Sequence, residues 1–108
     1  VEAELRWERP AGELDRIIRA LAPAPGAHAR IGSERVKVLE AEPADGRASP
    51  GMLLTGAADG GVRVACGEGA LDVRRVQPAG KSPMAMDAFV RGRRLKAGMS
   101  LLAAAVPT

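Results

Sequence analysis

The chain has 108 residues, 46% of them hydrophobic but only 2% aromatic, with one cysteine and a formal net charge of +3. That length holds one domain with a lean core, a single cysteine excludes an internal disulfide, and no apolar run reaches the roughly 18 residues of a membrane span. With so few aromatics the core has to be built from Val, Leu, Ile, Ala and Met, and binding by stacking on aromatic platforms has almost no parts.

Glu2 to Arg9 is charged and weakly alternating around Leu5 and Trp7, which predicts a linker whose one Trp docks on the domain. After Pro10, a favourable first-turn residue, Leu14, Ile17, Ile18 and Leu21 recur at helical spacing and predict an amphipathic helix, with Arg16 and Arg19 off the apolar stripe. Pro23-Ala24-Pro25-Gly26 stops it. We assign residues 1–22 to this linker and helix and 23–108 to the domain proper.

Short strands follow: Ala27 to Ile31, a turn at Gly32-Ser33, then Arg35 to Glu42 with Val36 and Val38 in phase. Glu42 to Pro50, rich in turn formers, predicts a loop. Gly51 to Thr55 is a further strand, and Asp59-Gly60-Gly61 turns into a hairpin. In that hairpin Val62, Val64 and Cys66 alternate with Arg63 and Ala65, and Leu71 and Val73 with Asp72 and Arg74, around Gly67-Glu68-Gly69. Val76 breaks the alternation, so either Arg74-Arg75 forms a β-bulge or Val76 faces outward. Gln77-Pro78-Ala79-Gly80 ends the strand. Met86, Phe89 and Val90 form one face of a short helix that Gly92 can end, and Leu95 and Leu101 return to the core. The sum is mainly β: a small five-stranded antiparallel Greek-key barrel resembling the oligonucleotide-binding fold, with an N-terminal linker helix and a short C-terminal helix.

Charge is uneven along the chain. Residues 1–54 carry 8 Lys or Arg against 9 Asp or Glu, a balance of −1, and residues 55–108 carry 8 against 4, a balance of +4. Arginine supplies 13 of the 16 cations, and its planar fork suits bidentate phosphate contact. The basic residues are the positive candidates for a site: Arg63, Arg74, Arg75, Lys81, Arg91 and Arg93, with Arg94 beside them, against the plainer reading of a solvated face. His28 is the only histidine and lacks the partners of a metal or nucleophile set, so it reads as a surface strand residue, and no metal site is expected. Cys66 reads as a small buried hydrophobe. Gly60-Gly61 and Gly67-Glu68-Gly69 read as turns and not phosphate cradles. Met52, Met84, Met86 and Met99 read as core gap-fillers.

Several stretches together resemble the C-terminal domain of the methionyl-tRNA formyltransferase family. They are Leu5-Arg6-Trp7, Ile18-Arg19-Ala20-Leu21 with Pro23-Ala24-Pro25-Gly26-Ala27, Val36-Lys37-Val38, Pro50-Gly51, the run from Val64 to Leu71, Gln77-Pro78-Ala79-Gly80-Lys81, and Phe89-Val90-Arg91-Gly92. The resemblance implies a barrel that grips the body of a tRNA, initiator methionyl-tRNA in this family, without reading its sequence. It also implies an N-terminal catalytic domain in cis that uses formyl-tetrahydrofolate, with no cofactor in this domain, a cytoplasmic setting and a part in translation initiation. No stretch of this chain matches the family's catalytic residues or folate loop, so no catalytic residue is assigned here, and the chain reads as a piece of a longer protein. Where the family has aromatics this chain has Leu21 and Ala24, and Ala85 stands where a Ser commonly caps the last helix, a loss of about 1 kcal/mol. The competing reading is an interdomain or assembly module of a related formyltransferase or formyl-folate hydrolase that acts on no nucleic acid.

Overall fold

The computed structural model describes residues 3–21, 26–31, 34–57 and 60–101. Its elements in chain order are β1 (Ala3–Leu5), α1 (Ala11–Leu21), β2 (Ala27–Ile31), β3 (Glu34–Ala44), β4 (Leu53–Leu54), β5 (Val62–Ala65), β6 (Ala70–Pro78), β7 (Met84–Ala85) and α2 (Met86–Gly92). One curled sheet runs β1-β2-β3-β6-β5-β4, with β7 added to β6. Strands β2 to β6 are the five expected from the alternation, and every pair among them is antiparallel. Because β4, β5 and β6 form a meander and β3 returns beside β6, their order is that of a Greek key. The sequence reading of a mainly β, barrel-like domain flanked by two helices holds.

The core sits inside the curl. Val36, Val38, Val64, Leu71, Val73 and Val76 from the strands are at most 1% exposed, as are Leu14 on α1 and Met86 and Phe89 on α2. Trp7 is 1% exposed and docks as expected, while Leu95 and Leu101 close the far side. The core is aliphatic apart from Trp7 and Phe89. Of the four methionines Met86 is buried, but Met99 is 41% exposed and fills no gap.

The hairpin run decides the shape. Val73 and Val76 are both buried although they stand three positions apart, so two outward residues, Arg74 and Arg75, lie between them. The β3–β6 register shows how: Val38 faces Val76, Glu40 faces Arg75 and Ala41 faces Val73, leaving Leu39 as the extra residue on β3 and Arg74 as the extra one on β6. Two opposed irregularities restore the register, and local extra twist of this kind bends a sheet toward closure. The bulge reading is therefore the correct one of the two.

Three features depart from the sequence reading: β3 is longer than expected, and two short strands, β1 and β7, bring the sheet from the expected five strands to seven. β3 extends to Ala44, so Glu42, Pro43 and Ala44 belong to a strand and not to the loop. Proline is tolerated there because β2 pairs β3 only over Glu34–Val38, leaving one edge of β3 without a strand neighbour beyond that point. Ala3–Leu5 is a strand, paired parallel to β2 through Ala3 with Ala27 and Leu5 with Ala29. The expected turns at Pro23-Ala24-Pro25 and Gly32-Ser33, and Asp59, lie outside the described residues.

Gly67 shows why the glycine pair of the hairpin is there. Its amide donates to the Arg9 carbonyl at 3.1 Å, and the Ala11 amide donates to the Glu68 carbonyl at 2.9 Å, so the turn grips the chain entering α1. A Cβ on Gly67 would lie 1.9 Å from the Glu8 carbonyl oxygen. Only glycine permits that approach.

Candidate nucleic-acid interface

The sequence-nominated cations divide into groups, each organised by a carboxylate. Arg63 on β5 stands opposite Asp72 on β6 and donates to it twice, Nε at 2.7 Å and Nη2 at 3.0 Å. Asp72 has the outward parity of its strand yet is 7% exposed, because the guanidinium covers it. Arg74 donates to Glu42 on β3 and also feels Asp72, and these carboxylates raise its pKa, Glu42 most. Arg75, thrown outward by the bulge, reaches Glu40 at 3.6 Å. These three share one outer region of the sheet.

Arg93 sits at the end of α2. It donates to both oxygens of Glu34 at 2.5 and 2.6 Å, and its guanidinium carbon lies 4.4 Å above the centre of the Phe89 ring. The hydrogen bonds from Arg93 hold the Glu34 carboxyl below its usual range, with a further push from Lys81. Lys81, on the turn after β6, is thereby near Glu34. Arg91 faces Asp87 one turn back at 3.9 Å and is largely exposed. Arg94 adopts a positive φ of 59° just past the helix. So Arg63, Arg74 and Arg75 are gathered at one place and Lys81 and Arg93 at another, with Arg91 outward on α2.

A different set of basic residues lies on β2 and β3, and the sequence reading did not single it out. Ala27, Ala29 and Ile31 of β2 and Val36 and Val38 of β3 point into the core, which turns His28, Arg30, Arg35 and Lys37 outward. The antiparallel register sets His28 directly opposite Lys37 and Arg30 directly opposite Arg35. Like charges at facing positions destabilise a sheet. Gln77 on β6 continues the His28–Lys37 row and Glu4 on β1 ends it on the other side. His28, Arg35, Lys37, Gln77 and the Pro78-Ala79-Gly80 turn line an open cleft of about 230 Å³. The signal for this set was present in the sequence as basic residues at the outward positions of β2 and of the part of β3 that pairs with it.

Within the cleft the side chains are held. Arg35 Nη2 is 3.4 Å from His28 Nδ1. A guanidinium only donates, so in this contact Nδ1 is the acceptor. Gln77 Nε2 donates to the Lys81 carbonyl at 2.9 Å. The Lys37 stem passes over Gly26, whose φ is +90°, and a Cβ there would stand 2.7 Å from Lys37 Cδ.

The chain matches the family described as formyl transferase, C-terminal domain, over residues 1–94. It belongs to that family. Among relatives, it is 54% identical over 104 residues to a methionyl-tRNA formyltransferase of Methylobacterium nodulans, covering 93% of this chain and 32% of that protein. The methionyl-tRNA formyltransferases of Cereibacter sphaeroides, at 46% identity over 97 residues, and of Pseudomonas entomophila, at 45% over 102, cover 90% and 94% of it. The chain thus spans about a third of the length of these curated relatives. Among solved structures, a variant of HypX from Aquifex aeolicus matches with a TM-score of 0.74 at 21% identity, over 90% of this chain and 18% of that one. HypX in complex with tetrahydrofolic acid matches at 0.70 and 19%, over 81% of this chain and 16% of that one. At such identity the likeness is one of fold.

The apolar groove between β4 and α2, lined by Leu53, Leu54, Val62 and Val90, holds about 220 Å³, under the roughly 300 Å³ at which pockets for drug-sized ligands begin. The larger hollow of about 510 Å³ is walled by Arg47, Glu68 and the glycines of the hairpin turn. No helix among the described residues is long and apolar enough to cross a membrane, and no group of three His, Cys, Asp or Glu side chains stands ready for a metal ion among them. Cys66 is buried, and burial pushes its thiol up to about 11.

Proposed function

We propose that this chain is the non-catalytic tRNA-binding domain of a methionyl-tRNA formyltransferase, and that it holds the tRNA body by contacts to phosphates while a separate N-terminal domain transfers the formyl group from formyl-tetrahydrofolate. The observation that carries the reading is the basic outward face of β2 and β3, where Arg30 stands directly opposite Arg35 and Lys37 stands opposite His28. A sheet that sets like charges opposite one another sacrifices stability, and a polyanion lying across the strands reverses the sign of that cost. The family membership and the names of the relatives support the choice of tRNA as that polyanion.

Phosphate contact without sequence readout follows from what the surface lacks. Trp7 and Phe89 are the chain's only aromatics and both are buried, so no platform exists for stacking a base. Cations on a rigid sheet give affinity and orientation but no sequence information. In the parent enzyme this domain therefore supplies general tRNA affinity and presents the acceptor arm, and choice of the initiator falls to other parts. The test is to measure binding of initiator and elongator tRNAs to the 108-residue chain under identical salt. Equal, weak affinities are expected, and a clear preference for the initiator would overturn the reading.

A further inference from the structure

We propose that the cleft between the β2–β3 face and the turn after β6 is a phosphodiester site that seats one phosphate of the RNA backbone, with Lys37 as its central cation. The proposal rests on the tRNA-binding reading and goes beyond it by naming the place of contact, which is on the opposite run of sequence from the cations nominated by charge density.

Five observations converge on the cleft. First, among the described residues its lining holds basic side chains, Lys37 and Arg35 with His28 beside them, and no carboxylate, and the carboxylate in register with the row is Glu4 at its outer end. Second, Lys37 is pre-placed. Its Cδ and Cε would stand 2.7 and 2.9 Å from a Cβ on Gly26, so the absent side chain gives the stem its bed, and a stem held in advance loses less freedom on binding. Third, the Gln77 amide is locked to the Lys81 carbonyl and cannot swing across the cleft. Fourth, the floor is the rigid part of the fold, since the inward neighbours Val36 and Val38 are at most 1% exposed. Fifth, the volume of about 230 Å³ suits a phosphate group and is open on one side, where the Ala79–Gly80 turn carries no large side chain.

The contrast with the other cations is one of compensation. Arg63, Arg74, Arg75 and Arg93 each face a carboxylate of this chain, Asp72, Glu42, Glu40 and Glu34 respectively. An incoming phosphate would have to compete with those partners. Lys37 has a histidine and a glutamine beside it in register instead. Two of the stretches that carry the family resemblance, Val36-Lys37-Val38 and Gln77 to Lys81, meet at this cleft, although 38 residues of sequence lie between Val38 and Gln77.

The experiment compares the wild-type chain with Lys37→Gln, Gly26→Ala and the double change Arg74→Gln, Arg75→Gln, using tRNA binding and amide chemical shifts with inorganic phosphate and with tRNA as probes. One phosphate contact contributes a slope of roughly 0.7 to 0.9 in log affinity against log salt. At 0.1 M salt its loss therefore lowers affinity about five- to eightfold, and this is expected for Lys37→Gln, together with a slope shallower by about 1. Gly26→Ala keeps every charge but displaces the Lys37 stem, so it is expected to weaken tRNA and to abolish the phosphate-induced shifts at Lys37, Gln77 and Gly80. If it does not fold, Lys37→Gln carries the test alone. The double arginine change is expected to cost less than Lys37→Gln. If Lys37→Gln binds like the wild type while the double change loses more, the cleft proposal is overturned and the tRNA reading stands. If no variant, nor the wild type, binds tRNA at low salt, both fall.

Discussion

Replacing Gly67 by alanine probes the joint on which the whole domain is assembled. The new Cβ would sit 1.9 Å from the Glu8 carbonyl oxygen and 2.8 Å from its carbon, so hairpin and entering chain have to part by at least about 1 Å. That separation breaks or weakens two backbone hydrogen bonds, Gly67 N–H to Arg9 and Ala11 N–H to Glu68, worth about 1 kcal/mol each. Forced repacking adds about 1–3 kcal/mol, giving roughly 3–5 kcal/mol out of a total of about 5–15. For a domain of this size that lowers Tm by about 12–25 °C. Circular dichroism reads the melt, and the emission of Trp7, buried beside the joint and the chain's only tryptophan, shifts to the red as it undocks. Gly92→Ala is the matched control, since a Cβ there meets nothing within 4 Å and φ is not positive. It is expected to leave Tm unchanged or slightly raised. A Gly67→Ala chain that melts within 2 °C or so of wild type, with unmoved Trp7 emission, would refute the reasoning.

Phe89→Ala, in the core at 0% exposure, is expected to cost about 3–5 kcal/mol by denaturant melting, whereas Phe89→Leu should cost under about 1.5 kcal/mol. Cys66, with its thiol pushed up to about 11 by burial, carries about a thousandth of its population as thiolate at pH 8. It should therefore ignore thiol reagents until the chain unfolds, and stoichiometric labelling of the native protein would contradict its placement. The Glu34 carboxyl is lowered from its ordinary 4.5 by Arg93 in the folded state. A lowered folded value means the pair adds stability that is present above pH 4.5 and fades as pH falls through the folded value. The Tm difference between wild type and Glu34→Gln should accordingly shrink from pH 6 to pH 3, and a difference that stays constant or grows would show that the pairing contributes nothing of this kind.

The strands were legible because their core faces are written in Val, Ile and Leu at every second position, and Val36, Val38, Val64, Leu71 and Val73 all point where alternation sends them. The slip at Val76 was legible as an ambiguity. Only the pairing of β3 with β6, which spends one extra residue on each strand, resolves it. Pro43 misled because proline is a turn signal in one dimension and a free-edge residue in three. Charge misled more instructively. The C-terminal half is +4 and the N-terminal half −1 along the chain, but Arg74, Arg75 and Arg93 from the first are matched by Glu42, Glu40 and Glu34 from the second. Three of the carboxylates that balance the N-terminal half on paper are thus taken up by arginines of the other half, while the register sets Arg30 opposite Arg35 and Lys37 opposite His28. Partner choice across a sheet depends on register, which composition and local spacing do not encode.

The central claim is electrostatic contact with an RNA backbone, and the measurement that meets it most directly is tRNA affinity of the chain against salt. The account predicts a straight line of log affinity against log salt with a slope of about −2 to −4, as three or four phosphates require, the same for every tRNA tried. A flat line would contradict it.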